Sequence, residues 1–296
     1  MKEKKGISLI VLIVTIIVMI IIAGAIILSL TETNVIDQAE VAVEKHNLAE
    51  IKSAASMAYA DWVLKTKSPA TSSDVADAGQ VQNYIRKKLI EQGLFTWQES
   101  SKYYITKTGG IEEINPEELI LIVEIPENSK KMQIDLNLLE NGTVDWGDDT
   151  GIKEINKSSN ALHYYSQSGE YEIKMNIKAE YIDFNGQSDA YKIKEIKSWG
   201  NTGVKELWLY DATSLEYVAC ANENSFKDLS YAALVGGFEE LPDYLFYNCK
   251  KLEEVDCYGC SNLKYIPEHI FEGCDKLTTV SFADCPKIEN VPAEWQ

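Results

Sequence analysis

The C-terminal third of the chain repeats itself at a fixed interval, and no other feature limits the possible folds as strongly. Residues 241–265 align with residues 266–290 at a period of 25. Phe246 matches Phe271, Cys249 matches Cys274, and Leu252 matches Leu277; Val255 matches Val280, Cys260 matches Cys285, and Leu263 matches Ile288. A third start follows at Val291-Pro292. Upstream, Leu207-Trp208-Leu209-Tyr210 and Leu215-Glu216-Tyr217-Val218 fit the second half of the same unit, and residues 219–240 read as a degenerate copy. A unit this short cannot bury its apolar side alone. Stacked neighbours must bury it, so each repeat stands on the one beside it.

A period of this length with Leu or Val at fixed offsets resembles the leucine-rich repeat. Phe246-Tyr247-Asn248-Cys249-Lys250-Lys251-Leu252 and Phe271-Glu272-Gly273-Cys274-Asp275-Lys276-Leu277 resemble the F-x-x-C-x-x-L of BspA-type bacterial surface repeats. The resemblance implies a solenoid over 183–296 that presents a recognition face to an unknown surface protein or glycan. Trp208, Tyr210, Tyr217, Tyr258 and Tyr265 are the candidate ligand-binding residues, being aromatic types enriched at interfaces and placed beside strand or turn positions.

At the other end, residues 7–30 form a run of 24 without a charge, preceded by Lys2, Lys4 and Lys5. A helix of that length is about 36 Å long, enough to cross a bilayer core, and the basic end is expected to stay cytoplasmic. A secretory signal with Ala23-Gly24-Ala25 as its cleavage site and a plain single-pass anchor are both open readings. Lys4-Lys5-Gly6 followed by Ile7-Ser8-Leu9-Ile10 resembles a type IV prepilin N-terminus. That resemblance implies cleavage by a prepilin peptidase after Gly6 and methylation of Ile7. It also implies membrane lipid, and possibly other pilin subunits, as partners. Val11 stands where that family has Glu, which points to a minor or tip subunit, or a membrane-held relative, rather than a major pilin. Apolar residues from Val35 to Trp62 continue at spacings of three or four, so the helix is expected to run to about residue 68, before Pro69.

Residues 69–115 read as a small α/β head: a short helix near 80–92 with Val81, Ile85 and Leu89 on one face, Gly93 closing it, and a strand at 102–106. From residue 116 the period becomes two. Met132, Ile134, Leu136 and Leu138 alternate with polar residues, as do Tyr171, Ile173, Met175 and Ile177. Val144-Asp145-Trp146-Gly147-Asp148-Asp149-Thr150, with His163-Tyr164-Tyr165 and Gly169-Glu170-Tyr171 later, resembles a PKD-like β-sandwich over 116–182, except that Asp149 replaces a Gly. The expected fold class is therefore multidomain α+β. It comprises a basic leader (1–6), a pilin-like helix (7–68, spanning the membrane over 7–30), the head, the sandwich and the solenoid.

Asp145, Asp148 and Asp149 are weak calcium candidates, since their spacing is not that of a dedicated loop; a structural turn is the favoured reading. The six cysteines fall between residues 220 and 285, four of them at matched repeat positions, where reduced core thiols are favoured over inter-repeat disulfides. His46, His163 and His269 are the three histidines, and no nucleophile, phosphate-loop or dinucleotide motif surrounds them. No enzyme activity and no cofactor are expected. A net charge of −18 argues against nucleic acid. The expected role is a cell-surface binding or adhesion protein, with a minor or tip pilus subunit as the alternative.

Overall fold

The computed structural model describes residues 35–67, 81–184, 189–222, 224–236, 240–289 and 291. Gly6, Ile7 and the apolar stretch 7–30 lie outside the described residues, so the span and the prepilin processing site expected there are not described. The chain divides into two compact units, Met1–Ser53 and Ala54–Gln296. The described part of the first is helical. The second holds all the strands among the described residues.

The expected α+β class with a long N-terminal hydrophobic helix is corrected. Among the described residues there are two α-helices against fifteen strands, and neither helix is long and apolar enough to cross a membrane. Helix α1 (Val35–Lys67) has 33 residues with no Gly or Pro, but charges are distributed along it, and the side chains buried in the second unit are the small Ala54, Ala55 and Ala58. Helix α2 (Val81–Glu91) buries Val81, Ile85 and Leu89. It ends as expected at Gly93, whose φ of 69° lets its N–H reach Ile90 O at 2.9 Å while Leu94 N reaches Leu89 O at 3.1 Å.

Two large sheets and one hairpin make up the strands of the second unit. After the hairpin of β1 (Tyr103–Ile105) and β2 (Ile111–Glu113), the strands are β3 (Leu119–Ile125), β4 (Lys131–Leu138), β5 (Gly142–Asp145), β6 (Lys153–Ile155), β7 (Ala161–Tyr164), β8 (Gly169–Asn176) and β9 (Ala179–Asp183). Then come β10 (Ile193–Trp199), β11 (Glu206–Ala212), β12 (Tyr217–Val218), β13 (Tyr231–Gly236), β14 (Glu254–Asp256) and β15 (Thr279–Ser281). One sheet has the order β12-β10-β3-β8-β5-β6 and the other β15-β14-β13-β11-β9-β4-β7.

Strand β9 is the joint. It pairs antiparallel with β4 on one edge and parallel with β11 on the other, so the alternating strands pass into the parallel stack without an interruption in hydrogen bonding. One continuous core, from Leu119 to Cys285, lies beneath. Ile182, Leu207, Ala232, Val255 and Val280 form a registered inward ladder across the five parallel strands. On the far side of each coil the rings of Trp199, Phe226, Phe246 and Phe271 follow one another at 5.0, 5.9 and 5.9 Å.

The segment 81–115 packs on the sheets through buried polar contacts. Buried Arg86 donates to Ser100 O (2.9 Å), Tyr103 O (3.4 Å) and Tyr217 Oη (3.1 Å), and Tyr104 Oη donates to buried Glu195 at 2.6 Å. Lys197 bridges Glu112 and Glu172 at 3.2 and 2.6 Å. Trp97 packs on Tyr247 and Tyr244 with centroids 4.1 and 6.0 Å away. These contacts satisfy Tyr104, Glu195, Lys197 and the Arg86 terminal nitrogens, while Gln82 Nε2, the Asn83 amide and Arg86 Nε are buried without a partner.

Candidate functional site

Strand alternation decides what the seven-stranded sheet shows outward. In β11, Leu207 and Leu209 face the core, leaving Glu206, Trp208 and Tyr210 on the outer side. In β13 the same logic sends Ala232 and Leu234 inward and Tyr231 outward. Pairing then fixes two outward rows. The first is Tyr181, Glu206, Tyr231, Glu254 and Thr279; the second is Asp183, Trp208, Ala233, Asp256 and Ser281.

Trp208 and Tyr231 sit diagonally, and their rings meet at 4.8 Å with planes tilted 44°. Tyr210 joins at 5.6 Å from Trp208, its hydroxyl 3.3 Å from that of Tyr231. Trp208 Nε1 donates to Glu206 at 3.2 Å. Carboxylates border the rings: Glu254 is registered with Tyr231, and Asp256 with Ala233. The Tyr231 hydroxyl is pushed up by burial, by its bond to Tyr210 and by the negative charge of Asp256 and Glu254. Aromatic bodies with polar tips in a half-buried row are the composition of protein recognition surfaces.

The five aromatic candidates do not form one site. Trp208 and Tyr210 lie in this cluster. Tyr258, 49% exposed, sits in the turn after β14 with its hydroxyl bonded to Asp284. Tyr265 forms a bridge with Glu240 on the opposite side of the coil, and its hydroxyl donates to Glu289 at 3.2 Å. Tyr217 as a ligand-facing residue is corrected: it is 1% exposed, covered by the 81–115 segment and held by Arg86. Sequence reasoning missed Tyr231 and Asp256. The period of 25 does not lead to them, because the step from Ala233 to Asp256, like that from Tyr231 to Glu254, is 23 residues.

The acidic turn is occupied by its own backbone. Asp145 Oδ1 accepts from Gly147 N at 3.0 Å, and Asp148 Oδ1 accepts from Thr150 N and Oγ1 at 3.3 and 2.7 Å. The other oxygen of Asp148 lies 2.7 Å from His163 Nε2, whose ring stacks on buried Trp146 at 5.0 Å. Asp149 occupies the left-handed region at φ 61°, the place a glycine usually takes. Among the described residues no three His, Cys, Asp or Glu side chains are arranged to hold a metal.

Burial alone would raise the Asp148 carboxyl, but the bonds from Thr150 and His163 outweigh it and hold the group below the ordinary carboxylate range. A depressed folded value means that this carboxylate stabilises the fold above its unfolded value near pH 4, and that the contribution fades as pH falls through the folded value. Asp148→Asn is expected to cost about 1.5–3 kcal/mol at pH 7, the range for a hydrogen bond to a charged group. Its deficit relative to the parent should shrink below about pH 4, as read by urea unfolding across pH. A pH-independent deficit would contradict the assignment.

All six cysteines are free thiols. Four bond across coils to backbone carbonyls: Cys220 to Asp243 O (3.2 Å), Cys260 to Leu234 O (3.0 Å), Cys274 to Phe246 O (3.0 Å) and Cys285 to Cys257 O (2.7 Å). Burial pushes the Cys257 thiol well up and Cys260 up to about 12. Thiols in that state pack as small apolar groups rather than attack. His269 is 3.0 Å from Asp243 Oδ2 and stacks on Tyr244 at 4.9 Å.

Residues 191–292 match the BspA type leucine rich repeat region, in six copies. This part of the chain fits a leucine-rich-repeat array of BspA type; it contains β11, β13, β14 and β15 of the parallel stack, and β10 and β12 of the other sheet. The match does not reach residues 1–182, so the prepilin-like and PKD-like resemblances rest on sequence motifs alone. No curated protein and no solved structure matches the chain.

Proposed function

We propose that the chain is a non-catalytic, surface-displayed binding protein that uses the outer face of the seven-stranded sheet for recognition. The observation that carries this reading is the Trp208–Tyr210–Tyr231 cluster, three partly exposed rings on adjacent strands of the repeat array. Repeat solenoids offer extended surfaces of this kind, and adhesion is the role suggested by BspA-type repeats. No step of the reading uses a thiol or histidine as a nucleophile, and none depends on how the chain is anchored.

The test is adherence of cells displaying the full chain to arrays of immobilised proteins and glycans. Trp208→Ala and Tyr231→Ala are expected to lower adherence at least tenfold with the circular dichroism spectrum unchanged. Tyr258→Ala, off this face, should leave adherence within twofold. Equal adherence by all three would remove the face from the function.

A further inference from the structure

We propose that the aromatic–carboxylate patch formed by Trp208, Tyr210, Tyr231, Glu254 and Asp256 binds a lysine or arginine side chain of a basic polypeptide segment. The proposal rests on the reading of this sheet as the recognition face and names the chemistry that the face accepts.

Asp256 is the decisive residue. Its Oδ1 is shielded from solvent and has no hydrogen-bond partner. The register places it one strand from Ala233 and two from Trp208 in the same outward row. A desolvated carboxylate oxygen without a donor is costly, because water is excluded and nothing replaces it. Its charge is felt locally: besides Tyr231, the buried thiols of Cys257, Cys260 and Cys285 are pushed up in part by it. A cation beside the partly exposed Asp256 side chain would neutralise this carboxylate.

The rings supply the second half of the site. Trp is the best ring partner for a cation, followed by Tyr, and the attraction grows when the cation is desolvated. Trp208 and Tyr231 meet edge-tilted beside Glu254 and Asp256, so a cation resting on the rings lies next to two carboxylates. Charge also selects the partner. Lys205, just before β11, is already paired with Glu180 at 3.0 Å, and the chain carries −18 overall. A basic segment is drawn in and an acidic one repelled. A neutral glycan would leave the Asp256 oxygen unneutralised.

The experiment uses the full-length protein and fluorescent nonalysine, with its fully acetylated form as the neutral control. Binding is followed by anisotropy at 50 and 500 mM NaCl. Nonalysine is expected to bind and the acetylated peptide not to, with affinity falling as salt rises. Asp256→Asn and Trp208→Ala should each weaken binding at least fivefold, while Glu140→Gln, an exposed carboxylate in the turn after β4, should leave it within twofold. Asp256→Asn should also keep or raise the melting temperature, since it removes a charge from a group with one shielded oxygen lacking a partner; a fold-supporting role would lower it.

Equal weakening by Glu140→Gln, unchanged binding by Asp256→Asn, or loss of fold in that variant would each overturn the proposal. If these arms fail while Trp208→Ala still abolishes adherence, the recognition face stands with a different ligand. If adherence survives Trp208→Ala, the face itself is wrong.

Discussion

Phe246→Ala is expected to lower the unfolding free energy by about 3–5 kcal/mol, the range for deleting a buried aromatic ring. Phe246 is 0% exposed and lies between Phe226 and Phe271, each 5.9 Å away by ring centroid. Its backbone also joins the coils: its N–H donates to Ile270 O at 3.1 Å, and its carbonyl accepts the Cys274 thiol. Packing around the missing ring can relax only by shifting one coil on the next, which would break those bonds. A cavity should therefore persist.

The damage should also have a direction. Coils in a solenoid touch only their neighbours, so a weakened contact isolates what lies beyond it. Amides of β14 and β15 should lose hydrogen-exchange protection, while those of β3 and β8 retain theirs. A loss below about 1 kcal/mol, or protection falling evenly across both sheets, would show that the ring ladder does not couple the coils.

How much of this was legible in the sequence follows from where each signal resides. Residues 241–290 were readable because Val255 and Val280 keep both their spacing and their inward role. The copy before them was not, because the step from Tyr231 to Glu254 is 23 residues and its ladder position holds the small Ala232. With that strand unplaced, Tyr231 and Asp256 could not be set beside Trp208. Strand β9 shows the same limit. Its alternation matches any half-buried strand, and nothing local reveals that both of its edges are paired, one antiparallel and one parallel.

Tyr217 was misassigned for a different reason. Local pattern shows which way a side chain points from its own strand, not what covers it. Its cover comes from Arg86, 131 residues earlier. The 81–115 segment shows the same limit: it has a helix and a strand of its own, but its buried Arg86 and Tyr104 also reach Tyr217 of β12 and Glu195 of β10, which no local pattern reveals. The Trp146 turn was read correctly in outline because its signals are local. Asp side chains there bond backbone N–H groups two residues on.

That turn carries the second large prediction, in which two glycines of one loop should behave differently. Gly147 has φ 75° and Gly151 φ 76°, so alanine at either pays for a left-handed backbone, about 1–2 kcal/mol. At Gly151 nothing lies within 4 Å of the added methyl, and the backbone term is the whole cost. At Gly147 the methyl would stand 2.5 Å from Glu172 O and 3.1 Å from Glu172 N, both backbone atoms of β8. The turn would have to lift off that strand, moving Trp146 and the Asp148–His163 pair with it. Gly147→Ala is thus expected to cost about 3–5 kcal/mol, among the larger effects of a single substitution. At roughly 2–4 °C per kcal/mol for a chain of this size, the melting temperature should fall by about 6–20 °C, against at most about 8 °C for Gly151→Ala. Near-ultraviolet dichroism from Trp146 should change only in the first variant. Equal losses at the two positions would mean that the close approach to β8 contributes nothing, and that the turn is set by backbone conformation alone.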